Sequence, residues 1–221
     1  MSARPAANHF GSASKMASMA SRPEIPERPR SVRQRVPAAE RRDALIDAAV
    51  EEFAHTGLHG TPVDRIARRV GVAQPYVFSL FPTKRDLFIA AVERCFGRVQ
   101  QIFERAAAEF SPATAEPEQT VLKAIGDSYV QLLGADRLVL MLQLQAYAAC
   151  DDEVIRTHVH AAYSRLRQHI MELSGTDAAT LDEFLAFGMY LSVQAAVSPE
   201  ELPEIVARRK QMLSNGEPFS C

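Results

Sequence analysis

Between Ala38 and Thr56 the apolar positions Ile46, Ala49, Val50 and Phe53 recur at spacings of three and four, which predicts an amphipathic helix stopped by Gly57. A second stripe, Val63, Ile66, Ala67 and Val70, leaves Arg65, Arg68 and Arg69 on the other faces. Thr61 is placed to cap this helix, with Pro62 in its first turn and Asp64 three residues on to complete a capping box. Gly71 then suits a tight left-handed turn, and Ala67 is small enough to let another helix cross closely.

A short third helix follows from about Gln74 to Leu80, with Pro75 in its first turn. Val77, Phe78 and Phe81 are its expected inner face, while Gln74, Tyr76 and Ser79 are left outward. Thr83-Lys84-Arg85-Asp86 repeats the capping-box pattern and opens a long helix from Lys84 to about Phe110, ended at Ser111-Pro112. Beyond the loop from Pro112 to Pro117, helices are predicted at about 118–133, 137–149, 152–173, 178–197 and 200–213. No strand alternation competes, so the fold class is all-α.

Two short helices separated by a glycine turn form a helix-turn-helix, whose second helix presents its N-terminal end to a major groove. Gln74 suits a bidentate pair with adenine there, and the free N–H groups beside Lys84 suit a phosphate. Gln74, Tyr76 and Ser79 are therefore assigned to base edges. Thr61, Pro75, Phe78 and Lys84 are assigned to the backbone, as contacts or close neighbours.

Arg65-Ile66-Ala67, Gly71-Val72, Gln74-Pro75, Phe81-Pro82-x-Lys84 and Leu87-Phe88 resemble the DNA-binding domain of the TetR family of bacterial transcriptional regulators, over about residues 38 to 90. The resemblance implies a homodimer that binds a double-stranded palindromic operator, most often as a repressor, and leaves it when a small apolar effector enters the helical domain. It also implies a four-helix dimer contact, which by analogy falls on 178–197 with 152–173; Phe184, Phe187, Gly188, Leu191 and Ala195 are its candidates here. Two departures stand out. Phe78 occupies the place of a Tyr that contacts phosphate, and Tyr76 that of a small Thr. Asp64 replaces a basic or neutral residue, consistent with capping.

Charge sharpens this picture. The chain has a formal net charge of -2, but residues 1–85 hold 14 Lys and Arg against 8 Asp and Glu, whereas 86–221 hold 11 against 19. A local surplus attracts phosphate, and the acidic remainder keeps the second part off the duplex. Residues 1–36 are rich in Ala, Ser, Pro and Arg and are read as a disordered basic arm, with Arg33 and Arg35, after Arg28 and Arg30, as DNA contacts. Met16 and Met19 are alternative starts to Met1. The expected organisation is an arm at 1–36, a DNA-binding head at 37–83, a ligand-binding and dimerisation part at 84–215, and a tail at 216–221.

Other chemistry is sparse. No apolar run approaches the roughly 20 residues of a membrane span, no apolar signal core opens the chain, and Cys95, Cys150 and Cys221 lack metal or redox spacing, which fits a cytoplasmic protein. His158 and His160, two apart on a helix, point in different directions and do not form a metal pair. Cys150 beside Asp151 and Asp152 has no base and is no nucleophile. Neither an enzyme site nor a cofactor is expected. Phe103, Tyr129, Met141, Gln145, Tyr147 and Met189 are the candidate lining of an apolar effector pocket, and Gln143 is a further polar contact. The alternatives are a ligand-independent architectural DNA binder and a helical carrier or enzyme.

Overall fold

The computed structural model describes residues 37–113 and 119–214; the expected arm with Arg33 and Arg35, the starts at Met16 and Met19, the 216–221 tail and Cys221 lie outside the described residues. Among the described residues there is no strand. The helices are α1 (Ala38–Gly60), α2 (Val63–Val70), α3 (Gln74–Leu80), α4 (Lys84–Glu109), α5 (Val121–Ala135), α6 (Arg137–Ala148), α7 (Glu153–Ser174), α8 (Ala178–Val197) and α9 (Leu202–Ser214), with a 3-10 turn at Pro199–Glu201 before α9.

The stop expected at Gly57 is a sharp break in α1 (φ 65, ψ -176), after which the helix resumes as far as Gly60. Only glycine adopts such angles without cost. The break turns the carbonyl of Gly57 toward Thr61, whose hydroxyl donates to it at 2.7 Å and lies 2.6 Å from the Thr56 hydroxyl. Thr61 is consequently fully buried. This corrects two expectations. Pro62, with no side-chain cap bond, is the N-cap of α2, and Asp64 pairs with Arg68 at 2.7 Å instead of completing a box. The Thr61 side chain locks the end of α1 and cannot reach a nucleic acid.

Gly71 ends α2 in the left-handed conformation (φ 72), and Val72 N–H donates back to the Ala67 carbonyl at 3.0 Å. At the head of α4 the box does form: Thr83 Oγ1 accepts from Asp86 N at 3.1 Å and Asp86 Oδ2 from Thr83 N at 2.9 Å. From that cap α4 runs 26 residues, about 39 Å at 1.5 Å per residue. Along it Leu87, Phe88, Ala91, Val92, Cys95, Phe96, Val99 and Phe103 are buried, and it packs on α1, α5, α6 and α7.

One hydrophobic cluster extends from Leu45 in α1 to Leu181 in α8, so the reading head and the helices after it share a core. Phe53 meets Phe88 edge-on at 5.0 Å between ring centres, each ring contributing about 1.5–3 kcal/mol by burial. A smaller cluster, Leu133, Leu140, Leu191, Ala195, Leu202 and Ile205, ties α5, α6, α8 and α9 together. Asp136, Asp152 and Asp177 cap α6, α7 and α8 by accepting backbone N–H groups.

Candidate nucleic-acid interface and ligand cavity

α3 is held by one deeply buried side chain, Val77, and by Phe81 just beyond its end, with the Arg42 guanidinium 4.7 Å over the Phe81 ring. Their burial turns Gln74, Pro75, Phe78 and Ser79 outward. Phe78 is 38% exposed, which corrects its expected place on the inner face: Val77 and Phe81, four apart, already fill that face, and Phe78 lies a hundred degrees round from Val77. Tyr76 is half-buried against the core. The Ser79 hydroxyl donates to the Tyr76 carbonyl at 2.7 Å, so only its lone pairs face outward.

The arginines of α2 are largely committed within the head. Glu52, nearly buried on α1, receives Arg69 at 3.0 Å and Arg65 at 3.4 Å, and Arg69 also pairs with Glu51. This cluster fixes α2 against α1 and holds steady the platform from which α3 projects. Lys84 Nζ donates to the His59 carbonyl at 3.2 Å, bracing α4 against the last turn of α1, and its pKa is lowered by burial. Arg85, next along α4, reaches Asp152 at the head of α7 at 3.0 Å.

The second feature is an apolar cavity of about 390 Å3 among α4, α5, α6, α7 and α8, within the range of small-molecule sites. Of the expected lining, Phe103, Tyr129, Tyr147 and Met189 border it, while Met141 and Gln145 do not. On a helix, residues 143 and 147 share a face and 145 points away. Gln143 and Tyr147 therefore face the cavity, and the Gln145 amide lies against Gly57, where a Cβ would meet its Oε1 at 2.3 Å. Val99 and Leu166 also line the cavity and were not anticipated; their apolar pattern is indistinguishable from ordinary core. Tyr129 Oη donates to Gln143 Oε1 at 3.2 Å and sits 2.8 Å from Ser192 Oγ, with burial raising its pKa; burial also raises that of Tyr147.

The candidates for a dimer face are corrected too. Leu191 and Ala195 are buried in the chain's own core, Phe184 packs on Gly126, Gly188 faces the Tyr129 ring, and Phe184, Phe187 and Gly188 all border the cavity. Exposed apolar side chains on α8 are Tyr190, Val193 and Val197, at spacings of three and four, with Met189, which also borders the cavity, beside them. The apolar content of α8 was legible, but with both faces apolar its pattern did not say which side looks out.

Burial pushes the Cys95 thiol, which donates to the Val139 carbonyl, up to about 12 and raises that of Cys150, so neither of these two has nucleophile character. Among the described residues no cluster of His, Cys, Asp or Glu is arranged to hold a metal ion, and no helix is long and apolar enough to cross a membrane.

Residues 45–91, the end of α1 through the first turns of α4, match the family model described as bacterial regulatory proteins, tetR family. The DNA-binding segment, residues 45–91, is that of the TetR family. It is 40% identical over 60 residues to the HTH-type transcriptional activator FasR of Mycolicibacterium smegmatis, covering 27% of each chain. With the fatty acid metabolism regulator protein of Bacillus subtilis it shares 31% identity over 101 residues, 46% of this chain and 50% of that one. The chain thus matches about a quarter and a half of the length of these two relatives. The fold extends further than the sequence match: the FadR regulator of Bacillus subtilis, solved in complex with stearoyl-CoA, superposes with a TM-score of 0.60 over 77% of this chain and 96% of that one at 19% identity.

Proposed function

We propose that this chain is a ligand-responsive DNA-binding transcriptional regulator, a repressor that holds a palindromic operator as a homodimer in the bacterial cytoplasm and leaves it when a small apolar molecule fills the cavity. The observation that carries the reading is a single rod, α4, with the reading head at one end and the cavity further along: Thr83 caps it beside α3, and Val99 and Phe103 line the cavity. Residues 37–83 serve as the head and 84–215 as the effector and dimer part. Gln74 reads a base edge, with Pro75, Tyr76, Phe78 and Ser79 around it. Lys84 abuts the phosphates, and Arg33 and Arg35 form the arm. The exposed stripe Tyr190, Val193 and Val197, with Met189 beside it, takes a second copy of the chain, as reading two successive major grooves about 34 Å apart requires. A FadR regulator crystallised with stearoyl-CoA supports an apolar effector by analogy.

An effector acts only through its different affinity for the bound and released states. Footprinting on the DNA upstream of the protein's own gene tests the reading. Protection of one palindrome at physiological salt, lost in the presence of an effector, is the expected result. Diffuse coverage confined to low salt would replace it with the architectural reading.

A further inference from the structure

We infer that the inner end of the cavity selects an uncharged, chain-like ligand bearing a hydrogen-bond acceptor, such as a ketone, ester or amide carbonyl, and that the Gln143 amide nitrogen is the group that binds it. The inference rests on the reading of this cavity as the effector site. Gln143 is 5% exposed and borders the cavity. Its Oε1 accepts from Tyr129, and among the described residues its Nε2 has no hydrogen-bond partner. Once a ligand fills the cavity and displaces water, an amide N–H left without an acceptor costs free energy, so a ligand that supplies one there is favoured over one that does not.

The register of α5 on α8 separates the polar ends of the cavity. Gly126 lies against Phe184, Gly188 against Tyr129, and Tyr129 bonds Ser192, so the two helices run side by side in the same direction. Thr120, Lys123, Thr180 and Glu183 therefore gather at one end, and Tyr129, Gln143 and Ser192 at the other. On α8 the lining runs from Thr180 to Ser192, about 18 Å at 1.5 Å per residue. The volume corresponds to roughly a dozen water-sized groups. Among the described residues that line the cavity the cation is Lys123, about 9 Å from Tyr129 along α5, with Asp127 on the wall between them. A carboxylate head at the inner end would be buried without a countercharge, which is strongly unfavourable.

Displacement of the neutral fluorophore N-phenyl-1-naphthylamine from the full chain tests this with methyl heptyl ketone, nonane and nonanoate at pH 8. In the native chain the ketone displaces the dye and nonanoate does not. Gln143→Leu is expected to weaken the ketone about ten-fold relative to nonane, and Gln143→Glu to weaken the ketone at least as much. Equal effects of Gln143→Leu on ketone and nonane, or displacement by nonanoate as strong as by the ketone, would overturn the assignment while leaving the cavity a ligand site. A dye that fails to bind the native chain, or binds without competition from the ketone and nonane, would overturn the effector-site reading itself.

Discussion

Gly57→Ala separates two costs that the structure assigns to different atoms. The first is backbone: at φ 65 and ψ -176 an alanine is strained by about 1–3 kcal/mol. The second is space: the added methyl would stand 2.3 Å from Gln145 Oε1 and 3.1 Å from its Cδ. That amide is the end of a flexible side chain, so it moves aside for about 0.5–1.5 kcal/mol of rotamer cost. The single variant should therefore lose about 1.5–4.5 kcal/mol. On a Gln145→Ala background the spatial cost vanishes and the backbone cost stays, giving a coupling of about 1 kcal/mol. Urea unfolding of the four proteins, followed by far-UV circular dichroism, measures both numbers from shifts in midpoint at constant slope. A Gly57→Ala chain as stable as the native one would refute the backbone assignment. Equal losses on the two backgrounds would show that Gln145 does not press on the break in α1.

Four further outcomes are expected. Gln74→Ala should weaken operator binding by about 1–3 kcal/mol and relax preference at one base pair per half-site; uniform weakening across all sequences in a competition assay would move Gln74 to the backbone. Lys84→Ala should weaken DNA binding without altering preference and flatten the salt dependence, and should also cost about 0.5–1.5 kcal/mol in urea for the bond to His59; an unchanged salt slope would remove Lys84 from the phosphates. The Asp152 carboxyl is held below its ordinary pKa by the Ile155 N–H and then by Arg85; a depressed folded pKa means stability that is present above about pH 4 and lost as pH falls below it, so Asp152→Asn should be less stable at neutral pH and converge with the native chain in acid, as urea midpoints at several pH values would report. Val193→Asp, on the exposed face of α8, should leave helix content intact and turn a dimer into a monomer in sedimentation; a native-like dimer would place the contact elsewhere.

The helices and their breaks were legible because they rest on local chemistry. Gly57, Gly71 and the Thr83-Asp86 box each act within a few residues, and the sequence shows them directly. Thr61 was misread for the opposite reason. Its hydroxyl had a choice between the next helix, which the sequence displays, and the carbonyls exposed by the break at Gly57, which only the folded turn reveals. Gln143 and Gln145 show the same limit across helices: periodicity says that they oppose each other, but not which of the two faces a cavity. Leu191 and Ala195 fell to the core because α8 is apolar on both sides, and pattern alone cannot rank two apolar faces.

α6 has both faces occupied in a way that constrains how cavity and head can influence each other. Gln143 and Tyr147 border the cavity on one side, and on the other Gln145 packs against the break in α1, two turns or less from the buried Thr61 lock. Interiors packed at crystal-like density do not absorb a displacement locally, so a molecule that pushes Tyr147 outward must either shift α6 against Gly57 or slide α4, which carries Val99 and Phe103. Those two routes end at different points of the head. The α6 route ends at the turn before α2, held by Thr61. The α4 route ends at the Thr83 cap beside α3, tied to α7 through Arg85 and Asp152. The Gly57 and Asp152 variants therefore probe the two mechanical connections separately, and whichever of them changes effector-induced release from DNA, at unchanged effector affinity, marks the route that carries the signal.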